Sequence, residues 1–128
     1  MTKKLTLLYV FFVIIVSLVP IPKLPFSSAH MFDTDKLLHF FIYLIMTLMF
    51  LRVGFLESKK IKRFYMLLVF LIGFIIEIFQ GILPTERYFE FADIIANSFG
   101  IISGYLICYF ILLKINTNSF FFKKKKLF

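Results

Sequence analysis

The sequence predicts an all-α integral membrane protein: four transmembrane helices, short loops, and both termini on the cytoplasmic side (N-in/C-in). Three observations carry this. Hydrophobic residues make up 61% of the 128, against roughly 45–50% in an ordinary soluble domain. The 20 phenylalanines are spread along the whole chain, more than a soluble domain of this length could hide from water. Apolar runs of membrane-crossing length alternate with short polar or basic stretches, leaving no room for a separate soluble domain.

The first run, Leu5 to Val19, follows Lys3 and Lys4, is broken only by Thr6 and Ser17, and is ended by Pro20, Pro22 and Pro25. It reads as a spanning helix over about 5–22. The competing reading is a signal peptide cleaved at Ser27-Ser28-Ala29, disfavoured because those small residues lie far beyond the apolar run. Residues 20–34, rich in Pro and Ser, read as a loop. Asp35 opens a second helix, about 36–56, whose interior is apolar except for His39, Tyr43, Thr47 and Arg52. Glu57 to Arg63 is a charged connector. The third helix, about 62–83, holds the run Phe64 to Leu83, interrupted only by Gly73, Glu77, Gln80 and Gly81. A run of about 20 residues at ~1.5 Å rise crosses the ~30 Å hydrocarbon core. Pro84 to Glu90 is a turn, and the fourth helix covers about 91–113. Residues 114–128 form a basic cytoplasmic tail. Its FFFKKKKLF ending reads first as a retention signal and second as a contact for anionic lipid.

Basic residues set the orientation. All of the 15 except Lys23, Lys36 and Arg87 fall on the side of the N-terminus, and Lys and Arg concentrate on the cytoplasmic face of membrane proteins. The same placement accounts for the net charge of +8, so nucleic acid is not an expected partner. Cys108 is the only cysteine and can form no internal disulfide; it reads as a small helix-packing or lipid-facing residue.

Polar residues recur at helical spacings inside the apolar runs. Asp35, His39 and Tyr43 are four apart, with Lys36 beside them; Glu77 and Gln80 are three apart; Asp93 and Asn97 are four apart, and Gly100 and Gly104 continue that face. With the termini inside, these groups and Arg87 gather in the outer halves of the helices or their links. Ionisable groups at membrane depth cost about 2.5–3.5 kcal/mol each, so they pair, face water or do work. An acid in a helix's first turn complements the dipole, which explains Asp35 and Asp93 without any function. Glu77 fits that account poorly: it lies toward a helix C-terminus, on the order of 10 Å below the outer boundary by helical rise. It is protonated, paired with a cation, or exposed to a polar cavity. Gly73, Gly100 and Gly104 read as helix-packing positions, with Gly100 and Gly104 forming a GxxxG pair that lets two helices approach closely.

These residues resemble the VanZ-like family of small membrane proteins. The matching pattern is D-K-x-x-H-F-x-x-Y from Asp35 to Tyr43, then E-x-x-Q at Glu77 and Gln80, then Arg87, then D-x-x-x-N-x-x-G-x-x-x-G from Asp93 to Gly104. Glu86, before Arg87, departs from it, since a small residue such as Gly is expected there. The resemblance covers about Asp35 to Gly104, with the first helix fitting by position only. It implies a multi-pass protein of the bacterial cytoplasmic membrane, in a family whose named member is associated with low-level resistance to the glycopeptide teicoplanin. It implies no reaction.

Four functions compete. The first is binding a lipid or cell-wall precursor head group at the outer leaflet, with an effect on glycopeptide susceptibility, favoured by the one-sided placement of the polar residues. The second is a structural membrane protein whose polar cluster satisfies itself. The third is a membrane-embedded enzyme using Glu77, His39 and Asp93 for acid–base or metal-assisted chemistry, with no ligand-spacing motif to support a metal. The fourth, a proton-coupled carrier, lacks polar steps in the inner halves of the helices. The expected partners are membrane lipids and a lipid-linked or cell-wall ligand, with self-association left open. No cofactor and no bound metal are expected.

Overall fold

Four α-helices make up the computed structural model: α1 (Thr2–Leu18), α2 (Ser28–Val53), α3 (Lys59–Ile82) and α4 (Phe91–Lys125). The structure describes residues 2–18, 28–53, 58–84 and 88–125, with side chains described within 3–18, 34–52, 58–84 and 88–111. No strand occurs among the described residues.

Among the described residues, three helices are long and apolar enough to cross a membrane: Thr34–Arg52 within α2, Lys59–Ile82, and Phe91–Ile111 within α4. Helix α1 has 17 residues, a reach of about 25 Å by helical rise, short of a ~30 Å hydrocarbon core. Its expected continuation through residue 22 lies outside the described residues. Several boundaries also move. The segment 28–34, read as loop, is helical, because nothing after Pro25 interrupts a helix before Asp35. Asp35 therefore does not sit in the first turn of α2, which holds no acid, and the dipole account of that residue falls. Helix α3 starts at Lys59, inside the charged connector, because Ser58 caps it: its hydroxyl accepts from the Ile61 N–H at 3.4 Å. Helix α4 continues to Lys125, through most of the segment read as a separate tail. No Gly or Pro follows Gly104 to stop it.

The packing places polar side chains inside and apolar side chains outside. Thr6, Ser17, His39, Thr47, Glu77, Gln80, Asp93 and Asn97 are each at most 6% exposed. Leu7, Phe11, Leu37, Phe64, Ile82, Phe99 and Phe110, among many others, face outward and are more than half exposed. Water would penalise that surface; lipid does not. On α3 the buried residues are Val69, Gly73, Ile76, Glu77 and Gln80, one stripe at helical spacing. A buried apolar layer of Val13, Tyr43, Met46, Val69, Ile76 and Ile101 joins all four helices. Mid-helix hydroxyls bond back to their own helix: Thr47 donates to the Tyr43 carbonyl and Ser98 to that of Ile94, both at 2.8 Å.

Helix α2 is the centre, touching α1, α3 and α4. Its closest approach is to α4, at the two small residues the sequence singled out. A Cβ added at Gly100 would overlap the Phe40 carbonyl oxygen, and one at Gly104 would lie 3.0 Å from the Leu44 carbonyl oxygen and 2.9 Å from Thr47 Cβ. Gly73 does the same for α3, since a Cβ there would lie 2.8 Å from the Tyr43 ring. The helices alternate in direction. The C-terminal end of α1 and the Glu77–Gln80 turn of α3 meet the His39 region of α2 and the first turns of α4. At the other end Phe50 of α2 packs on Tyr65 of α3, with ring centroids 5.8 Å apart.

Candidate functional site

The site lies at the end of the bundle where α4 begins. Four-residue steps on α2 put Asp35, His39, Tyr43 and Thr47 on its inward face. Asp35 is half-buried, and the other three are at most 5% exposed. Asp93 lies in the first turn of α4, where the helix dipole favours its charge, and Asn97 stands one turn deeper on the same face. Glu77 reaches in from α3 and is fully buried, at 0% exposure.

His39 is the hub. Its Nδ1 lies 3.0 Å from Asn97 Oδ1 and 3.6 Å from Glu77 Oε1. Since an amide oxygen can only accept, Nδ1 carries the proton and donates to Asn97. The Glu77 contact becomes an ion pair when the imidazole is protonated. Lys36 closes the outer rim. Its Nζ donates to Glu90 Oε2 at 2.7 Å and lies 3.3 Å from Asp93 Oδ1. The Lys36 and Glu90 side chains are 18% and 38% exposed, so the cluster opens outward there and closes toward Glu77. Asp35, His39 and Asp93 each offer a ligand atom, and the three atoms lie within 4.8 Å of one another.

The structure thus brings together Asp35, Lys36, His39, Glu77, Asp93 and Asn97. Tyr43 lies beside them, its ring parallel to that of His39 with centroids 6.5 Å apart and seated on Gly73. Gln80 goes elsewhere. Its Nε2 donates to the Ser17 carbonyl at 2.8 Å. That carbonyl is among the last four of α1, which have no partner within their own helix. The three-residue offset from Glu77 turns Gln80 toward α1, so it ties α1 to α3 and leaves the cluster. Arg87 lies outside the described residues. One participant was missed from the sequence. Glu90 pairs with Lys36, and its position three residues ahead of Asp93, at the mouth of a helix, was the available signal. The Ser17 carbonyl that holds Gln80 outside the cluster is a backbone atom, for which no side-chain pattern exists.

Not every buried polar atom here is satisfied. Among the described residues, Asn97 Nδ2 and Tyr43 Oη have no hydrogen-bond partner, and Asp93 Oδ1 has none beyond the ion contact with Lys36. A buried donor left unmade costs about 1–3 kcal/mol. Beside the cluster, a cleft of about 370 Å³ runs between α3 and α4, lined by Phe70, Phe74, Phe91, Ile94, Ser98 and Phe99 among others. It is almost wholly apolar, and Phe91 and Ile94 flank Asp93 in the first turn of α4.

Comparison with known proteins gives one match. A family model described as VanZ/LLP1 matches residues 3–113. No curated protein and no solved structure matches the chain.

Proposed function

The chain belongs to the VanZ/LLP1 family, and from that and the buried cluster we propose that it binds the polar head group of a membrane lipid or lipid-linked cell-wall precursor. In this reading it is a protein of the bacterial cytoplasmic membrane with four spanning helices, both termini inside, and the cluster at the outer leaflet. Occupying that head group lowers susceptibility to teicoplanin.

The observation that carries the reading is the set of unmade bonds in an otherwise paired cluster. A polar cluster kept only to hold helices together would be expected to satisfy all its members. Among the described residues, Asn97 and Tyr43 keep buried donors without acceptors, and Asp93 Oδ1 meets only the Lys36 ammonium at 3.3 Å. A head group entering past Lys36 and Glu90 supplies both kinds of partner. The apolar cleft beside Asp93 takes an acyl chain of the same lipid, so one molecule uses both features.

Teicoplanin susceptibility of a sensitive bacterium expressing the chain tests this. The wild type raises the minimal inhibitory concentration. Glu77→Gln keeps size and hydrogen bonding but removes the charge beside His39; it accumulates in the membrane normally and loses the effect. A Glu77→Gln protein that is abundant and fully active contradicts the reading.

A further inference from the structure

We propose that Asp35, His39 and Asp93 bind a divalent transition-metal cation of the zinc or manganese class at the head of the bundle. The three ligand atoms lie within 4.8 Å of one another. Two of them come from one face of α2 at i and i+4, and the third from the first turn of α4, so the pair of helices in closest contact forms the site. Metal–ligand bonds of about 2.0–2.2 Å place any two ligand atoms no more than about 4.4 Å apart. A small side-chain rotation therefore closes the site. Two carboxylates and an imidazole suit zinc or manganese; an all-oxygen set would suit magnesium or calcium.

The surroundings prepare His39 for that role. Asn97 Oδ1 accepts the Nδ1 proton at 3.0 Å, which fixes the tautomer and leaves the Nε2 lone pair for a cation. Glu77 Oε1 stands 3.6 Å from the same Nδ1, adding a carboxylate on the proton-bearing side. An acceptor behind a ligating histidine is the usual support of a metal site. Asp93 points the same way: it is 3% exposed, and among the described residues its Oδ1 meets no donor besides the Lys36 ammonium. Lys36 is the cation in contact with it, at 3.3 Å, and that lysine is already shared with Glu90 at 2.7 Å. Three protein ligands leave a coordination position open. On the head-group reading above, a phosphate oxygen fills that position, which is how an acid-rich cluster accommodates an anionic group. The cation site itself does not rest on that reading.

The test uses the full chain, purified in detergent and stripped with a chelator. Paramagnetic resonance of free Mn2+ should show saturable uptake of one ion per chain, displaced by Zn2+ but not by the same concentration of Mg2+. Asp35→Asn and His39→Gln should each weaken uptake at least tenfold, and Asn97→Leu should weaken it less. Circular dichroism certifies that each variant is folded. Mn2+ should raise the unfolding midpoint of the wild type and leave those of Asp35→Asn and His39→Gln unmoved. No saturable uptake by folded wild type, or equal uptake by both ligand variants, overturns the proposal. Because this assay contains no antibiotic and no added lipid, its failure is distinct from failure of the teicoplanin effect.

Discussion

At the scale of single residues, the bundle separates polar groups that hold it from polar groups it holds at a cost. Gln80 belongs to the first kind, since its amide satisfies a buried carbonyl at the end of α1. Tyr43 belongs to the second: its ring packs on Gly73 while its hydroxyl lacks a partner among the described residues. The two should respond oppositely to removal of the polar atom. Gln80→Leu strands the Ser17 carbonyl and should destabilise the detergent-solubilised protein by about 1–3 kcal/mol. Tyr43→Phe removes an unmade bond and should be neutral or stabilising, because no partner is left behind. Thermal unfolding of the two variants side by side decides it. If Tyr43→Phe costs as much as Gln80→Leu, the tyrosine hydroxyl is bonded within the fold and the case for a ligand weakens. The difference between Gln80 and Glu77 was not legible in the sequence. A spacing of three places both on the buried half of α3, but only the arrangement of α1 and α2 around that half decides which neighbour each one meets.

At the scale of elements, the site depends on how closely α2 and α4 approach. Gly100 faces backbone atoms of α2 and Gly104 the Leu44 carbonyl with the Thr47 side chain, whereas Gly73 faces an aromatic side chain. Backbone cannot move aside without shifting the whole helix, while a ring can shift by a few tenths of an ångström. Gly100→Ala should therefore cost more stability than Gly73→Ala, at or above the roughly 1–3 kcal/mol usual for overpacking. It should also pull Asn97, one turn away, off His39. Equal unfolding midpoints for the two variants would show that the α2–α4 contact is looser than described. The packing face of α4 was readable beforehand, because a GxxxG pair continuing the Asp93–Asn97 face marks that face and its polar end; that α2 is the helix seated on it was not. The helix ends were less readable. Ser58 as a cap and the missing helix breaker before Asp35 are local signals, but each competes with a charged or proline-rich neighbourhood that suggests a loop.

At the scale of the whole molecule, hydropathy was enough to give an all-helical membrane protein, since a chain with this much apolar surface has few other ways to bury its backbone polar groups. Periodicity then identified the inward faces, because at membrane depth a polar stripe must turn away from lipid. What pattern alone could not give was the reach of α1, whose described length falls short of a span, and the set of partners each polar group finds. The account places the cluster at the outer leaflet, and that placement rests on the distribution of lysine and arginine. The measurement that bears on it most directly is labelling by a membrane-impermeant thiol reagent in intact cells. In a Cys108→Ser background, Tyr88→Cys reports the α3–α4 link beside the cluster, where Tyr88 is 75% exposed, and Lys59→Cys reports the opposite end of α3. The account predicts that Tyr88→Cys labels in intact cells and that Lys59→Cys labels only after the cells are opened. Labelling of Lys59→Cys from outside, with Tyr88→Cys protected until lysis, would put the cluster on the cytoplasmic face and contradict an outer-leaflet site.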